Sequence, residues 1–236
     1  MSPTNSRLSQ TLLILGLTLV LFVSINVNLS WAGDQSDIAN RLAAAAKVLD
    51  EVMATPNKSI PKGVIERAQC VAVFPATVQV AVLVGAKHGK GLATCRTPSG
   101  WSAPAPLTVS GGSWGAQLGA QEVDLVLVVV NDQGMKQLVS GKMNLGTETS
   151  VTAGPIGNQE WKMNEDILTY ARAKGAFAGV NLAGSSIAED QDDARTLYGN
   201  PVSLADILAG KVQPANGSQP FLDTVAKYAG RTKAKD

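Results

Sequence analysis

The sequence is short of the residues on which most catalytic and metal sites depend: it has one histidine, His88, and two cysteines, Cys70 and Cys95. A zinc site fails for want of ligands, because no paired C-x-x-C accompanies that single imidazole. Charge of one sign is also missing. Twenty Lys and Arg stand against 19 Asp and Glu, a net charge of +1, far from the basic excess of a phosphate-backbone binder, so no nucleic-acid partner is expected. No apolar run is long enough to cross a hydrocarbon core about 30 Å thick comfortably as a helix. No organic cofactor motif is complete, so no cofactor is expected.

What is present is a globular composition, 45% apolar and 17% charged over 236 residues, which supports a substantial core and argues against disorder. At the N-terminus Arg7 precedes an apolar run from Leu12 to Val23, and Ser30-Trp31-Ala32 follows. That order is that of a secretory signal, with small residues at −3 and −1 for a peptidase. Residues 1–32 are therefore expected to be a cleaved signal peptide and 33–236 one exported domain, placed in the periplasm or cell envelope if bacterial. An uncleaved anchor is the competing reading, since Ile25, Val27 and Leu29 extend the apolar character. Export would put both cysteines in an oxidising compartment, where a Cys70–Cys95 disulfide and a pair of buried thiols are both compatible with the sequence.

Ser36 to Thr55 has apolar residues at Ile38, Leu42, Ala45, Leu49 and Val52, a three-and-four spacing that predicts a helix with one apolar face. Pro56 ends it, and Ile60 to Ala68 reads as a second, short helix. From Cys70 to about Ile187 short β-branched runs are punctuated by glycine. The candidate strands are Cys70–Phe74, Val78–Gly85, Gly91–Thr97, Leu107–Ser110, Gly115–Gln121, Val123–Val130, Lys142–Val151, Leu168–Ala173 and Phe177–Ala183, and Met135–Val139 could add a helical turn. Helical spacing returns in Glu189–Tyr198, Leu204–Leu208 and Phe221–Ala229. The expected fold is α+β: a largely antiparallel, curved sheet with N-terminal and C-terminal helices packed on it.

Two motifs invite chemistry. Gly111-Gly112-Ser113-Trp114-Gly115 matches the G-x-S-x-G elbow of serine hydrolases, yet His88 precedes Ser113 and no acid lies between them, so a triad has no natural order. Gly85-Ala86-Lys87-His88-Gly89-Lys90-Gly91 looks like a phosphate-cradling loop, but it is one residue short of the nucleotide pattern and lacks the hydroxyl residue that would hold Mg²⁺. Read as a glycine hairpin, it would carry Lys87, His88 and Lys90 at its tip, either solvated or against lipid phosphates. The Ser36–Thr55 helix has more acidic than basic residues and an apolar face half made of alanine, which favours packing on the sheet over lying on an anionic membrane.

Ile60-Pro61, Ala68-Gln69-Cys70-Val71-Ala72-Val73-Phe74-Pro75, Gly89-x-Gly91 and Gly100-Trp101-Ser102-Ala103-Pro104 form an ordered set with Gly119-Ala120-Gln121, Asp124-Leu125-Val126-Leu127-Val128 and Gly154-Pro155-Ile156-Gly157. Tyr170-Ala171-Arg172-Ala173-Lys174-Gly175, Phe177-Ala178-Gly179-Val180 and Tyr198-Gly199 complete it. This frame, over residues 36–210, resembles the SYLF family. The resemblance implies phospholipid or membrane-surface binding without catalysis: eukaryotic members bind phosphoinositides, partly through an amphipathic N-terminal helix, and some bind actin, while bacterial members are exported or envelope proteins. It places Lys47 at a basic position of the membrane helix. Lys47, Lys62, Lys87 and Lys90 are the candidate lipid-binding residues, and actin is not expected as a partner of an exported protein. The alternatives are an envelope structural or protein-interaction protein and a serine hydrolase using Ser113.

Overall fold

The computed structural model describes residues 35–56, 59–145, 151–153, 166–173, 176–177 and 184–230. The expected signal peptide, the Gly154–Gly157 motif, most of the strand expected over Phe177–Ala183 and residues 231–236 lie outside the described residues.

Helix α1 covers 35–54 and buries Ile38, Leu42, Ala45, Leu49 and Val52, the face that the spacing predicts. The chain is already helical at Gln35, one residue before the expected start at Ser36. Near its other end Thr55 donates its hydroxyl to the Glu51 carbonyl at 2.8 Å and Pro56 follows. Helix α2 is one turn, Lys62–Ile65, entered from Pro61, whose fixed φ suits that position.

The sheet is built on a long antiparallel ribbon of β1 (Cys70–Thr97) and β3 (Ala105–Val129), joined through β2 (Gly100–Trp101). Pairing runs without a turn from Cys70 opposite Val129 to Ala93 opposite Ala105, with irregularities only between Phe74 and Thr77 and between Val82 and Leu83. Three of the expected strands are thus one, and three others are another. The glycines read as hairpin tips are interior positions instead. Glycine breaks a strand only where the backbone must reverse. Here it serves as the residue without a side chain at places where another part of the protein comes close. A Cβ on Gly91 would stand 2.4 Å from Phe74 Cδ1, and one on Gly89 2.5 Å from Thr77 Oγ1.

Straight, 28 residues of β1 would stretch about 90 Å, so the ribbon has to curl. Ala76, with φ at +51°, sits in the first irregularity, and its N–H donates to Asp124 Oδ1 at 3.0 Å, which pins the extra twist that a bulge gives. The curl returns the end of β1 to its beginning. Arg96 donates its N–H to the Gln69 carbonyl at 2.7 Å, and Cys70 and Cys95 are joined by a disulfide.

The remaining strands flank the two halves of β3. β6 (Ile167–Ala173) pairs with Val123–Val129, and β5 (Val151–Ala153) adds to it in parallel; β8 (Ser185–Glu189) pairs with Leu107–Gly111 and carries β4 (Lys142–Leu145) on its far edge. A short β7 (Ala176–Phe177) returns on β6. Val123–Val129 is central, as its apolar character predicts, between β1 and β6. Alternation along the strands feeds two cores. Cys70, Ala72, Phe74, Leu125 and Leu127 face one that is closed by α3 (Asp132–Val139), α4 (Gln191–Tyr198) and α5 (Leu204–Leu208). Val71, Val73, Val126, Val128 and Tyr170 face the other, closed by α1, α2 and α6 (Gln219–Ala229). The fold is the expected α+β curled sheet, clad in helices on both faces.

Candidate functional site

The four lysines singled out from the sequence fall in two kinds of place. Lys87 lies within β1, only 5% exposed, and burial pushes its pKa below the usual ammonium value. Lys90, one pleat further on, has Nζ 2.9 Å from Asp190 Oδ2 and 2.9 Å from Asp193 Oδ1. Neither stands at a hairpin tip, because there is no hairpin there. Burial alone would lower the Lys90 pKa; the bonds to Asp193 and Asp190 outweigh it and the net shift is upward. Burial likewise works to raise the Asp190 pKa, and the Asp193 N–H and Lys90 outweigh it and bring the carboxyl below its ordinary value. Asp190 caps α4 through the Asp193 N–H at 3.0 Å, and Arg41 of α1 closes the cluster on Asp193. Lys90 therefore ties β1 to α4 and, through Asp193, to α1.

Lys47 and Lys62 are exposed on α1 and α2, each beside an acid one turn on: Glu51 at 3.8 Å and Glu66 at 3.6 Å. Such pairs contribute a few tenths of a kcal/mol at about 0.3–0.5, and they leave the ammonium groups accessible. The remaining length of α1 is held down by Arg172, which bridges Glu51 and Asp124.

Ser113 lies inside β3, its backbone opposite Gly85, while His88 stands opposite Ser110. A nucleophile elbow needs a strand-to-helix turn, and this segment is a continuous ladder, so the motif has matched a strand. Among the described residues no group of three or more His, Cys, Asp or Glu could hold a metal.

The structure brings together two cations that the sequence reading passed over. Arg67, just after α2, and Arg96, at the end of β1, line an open groove of about 540 Å³ with Gln69, Thr97, Asp132 and Met135. Arg96 donates to main-chain carbonyls at the ends of two helices and their flanks: Nε to Ala68 at 3.0 Å, Nη2 to Glu66 at 3.2 Å and Ala229 at 2.8 Å, and Nη1 to Gly230 at 3.3 Å. The Trp101 ring stacks 4.6 Å from its guanidinium carbon, and the indole N–H reaches Gly230 at 2.7 Å. Burial lowers the Arg96 pKa, although a guanidinium stays charged at any physiological pH. Among the described residues neither Arg67 nor Arg96 makes an ion pair. The signal that could have found them was the cysteine pair: joining Cys70 to Cys95 sets Arg96 beside Gln69 and its neighbours. A second depression of about 330 Å³, between α1, α4 and the loop before α6, is lined by Ile38, Leu42, Leu197 and Asn216 among others. No described helix is long and apolar enough to cross a membrane.

A curled antiparallel sheet between two helical layers, with an open groove lined by Arg67, Arg96 and Asp132, defines the chain as an α+β curled-sheet module. Residues 110–228 match the protein-family profile described as Ysc84, Las17-binding protein actin regulator. The chain is 32% identical over 199 residues to SH3 domain-containing YSC84-like protein 1 of Rattus norvegicus, covering 79% of this chain and 58% of that protein. With the Homo sapiens protein of the same name it shares 31% over 187 residues, 74% of this chain and 54% of the relative. LAS seventeen-binding protein 3 of Saccharomyces cerevisiae S288c is 29% identical over 179 residues, covering 72% and 39%. The chain belongs to the Ysc84, or SYLF-domain, family. It spans just over half the length of the mammalian relatives it matches.

One expectation is overturned by these names. Actin was not expected as a partner because residues 1–32 read as a signal for export, yet the family description is that of an actin regulator and the relatives are named for Las17 binding and for SH3 domains. The error has a physical root, since a leader sequence says where a chain travels and nothing about what its folded surface recognises. The same names are those of binding proteins rather than enzymes.

Proposed function

We propose that this chain is an exported, non-catalytic binding module, residues 33–236, that attaches to phospholipid membrane surfaces through headgroup contacts. The groove carries the reading: it presents the exposed Arg67 guanidinium and the one Arg96 N–H not bonded to a carbonyl, neither arginine having an acidic partner among the described residues, and guanidinium is the side chain best matched to phosphate oxygens. Lys47 and Lys62 add accessible positive charge on the α1 and α2 layer. Insertion of α1 among acyl chains is not part of the reading, because α1 spends its apolar face on the sheet. The Cys70–Cys95 bond supports export, since such bonds persist in oxidising compartments.

The test is cosedimentation of the purified chain with phosphatidylcholine vesicles, with and without phosphatidylglycerol, at about 50 and about 500 mM salt. Binding should appear with the anionic lipid at low salt, weaken severalfold at high salt, and weaken again in Arg67→Glu. An absence of vesicle binding at low salt would sink the proposal.

A second reading takes its support from the family description and the relatives' names: a partner protein of the actin-regulating class. Pull-down of such a partner by protein that ignores vesicles would favour it.

A further inference from the structure

The groove beside the disulfide is not uniformly cationic. Besides Arg67 and Arg96 it is lined by Asp132 at the start of α3, and by Met135 one turn further on. Asp132 Oδ1 accepts from Gln69 Nε2 at 2.9 Å; among the described residues Oδ2 has no bond and the carboxylate no ion pair. Two guanidinium groups, one carboxylate and an apolar thioether thus face a common space whose size is that of small-molecule sites, about 300–1,000 Å³.

This arrangement disfavours a simple polyanion, which would meet the Asp132 carboxylate. It equally disfavours a simple cation, which would meet two arginines. The geometry points to the groove as a subsite for a phosphate ester bearing an ammonium on a short carbon chain, of the phosphoethanolamine type. The phosphate oxygens lie on Arg67 and on the one Arg96 N–H, on Nη1, that no carbonyl engages, the ammonium lies on Asp132, and the methylenes against Met135. A phosphate, rather than a carboxylate, suits two cations because it offers its oxygens in a tetrahedral array that one guanidinium cannot fully engage. Arg96 is held in place before any ligand arrives, by four carbonyls and the Trp101 face, so little rotamer entropy is lost at that end. Such a ligand has two sources, a lipid headgroup or a free phosphoester, and the membrane-surface reading supplies the first.

The experiment titrates the full chain with O-phosphoethanolamine, inorganic phosphate and ethanolamine, followed by the NMR signals of Met135 and of the arginine side chains. Wild type should bind O-phosphoethanolamine about tenfold or more tightly than phosphate, the return expected of one added charge-assisted bond. Asp132→Asn, which keeps the bond from Gln69, should remove that preference and leave phosphate binding intact; Arg67→Ala should weaken both ligands. Equal affinity for the two phosphates, or a preference that survives Asp132→Asn, overturns the inference. A second arm measures vesicles of phosphatidylcholine, with and without phosphatidylethanolamine and with and without phosphatidylglycerol. Retention that needs phosphatidylethanolamine and fails in Asp132→Asn supports the subsite with lipid as the source. Soluble binding with no vesicle retention also supports it, with a free phosphoester as the source, and removes the membrane reading instead. Vesicle binding that weakens in Arg67→Ala but is indifferent to phosphatidylethanolamine and to Asp132→Asn leaves the membrane reading standing and overturns this one.

Discussion

Lys90→Met separates a headgroup contact from a structural clasp. The ammonium lies 2.9 Å from both Asp190 and Asp193, whose side chains are 10% and 11% exposed, while its own is 39% exposed. Removing one partner of a fully buried pair costs about 3–5 kcal/mol. The half-open lysine calls for a discount for solvent screening, and Arg41 still holds Asp193, so the expected loss is about 2 kcal/mol at neutral pH. With a urea slope near 2 kcal/mol per molar, the unfolding midpoint should fall by about 1 M. The pH dependence follows from the two shifts. The raised Lys90 contributes stability below 10.5 that is lost as pH rises through its higher folded value, and the depressed Asp190 contributes stability above 3.8 that is lost as pH falls through its lower folded value. The gap between wild type and variant should be widest on the plateau between these limits and close as the medium is acidified below 3.8, because a protonated aspartic acid no longer needs the lysine. Vesicle retention of the folded variant should equal that of wild type. A variant as stable as wild type that has lost vesicle binding would refute the clasp and restore Lys90 to the membrane surface.

Replacing Cys95 with Ala, or reducing the native protein, should cost about 3 kcal/mol for a loop of this length and lower the melting temperature by about 6–12 °C, read by thermal melts with and without dithiothreitol. Gly91→Ala should destabilise by about 2 kcal/mol or more through overpacking, since the new methyl would lie 2.4 Å from Phe74 Cδ1 and 2.5 Å from the Val73 carbonyl oxygen; an unchanged urea midpoint would show that the two halves of β1 are not in contact there.

The helices were the legible part of this sequence. The Ile38 to Val52 stripe, Leu204–Leu208 and the segment ending at Ala229 carry a local period, and each forms within a few residues of its expected limits. The β-class and the central place of Val123–Val129 were also readable, because a strand apolar on both faces has to be covered on both. The continuity of β1 and β3 was not. Glycine at Gly85, Gly89, Gly91, Gly111 and Gly112 gives the same local signal whether the backbone turns or a neighbour approaches, and only the tertiary partner decides between them. Ser185–Glu189 was absorbed into the sheet's end and the following helix, though it supplies the edge on which β4 pairs. The surroundings of Lys90 were hidden in the same way: in a glycine-rich segment it looks solvated until Asp190 and Asp193, a hundred residues away, are folded onto it. Arg67 and Arg96 carry no motif, and their proximity is a product of the curl.

The covalent bond between Cys70 and Cys95 joins the first residue of β1 to a residue near its other end. A protease that nicks the backbone anywhere between those two positions would leave both fragments tethered, so the damage would be invisible on a non-reducing gel and appear only after thiol treatment. Wounds to the ribbon that forms the heart of this sheet are thus kept from becoming losses.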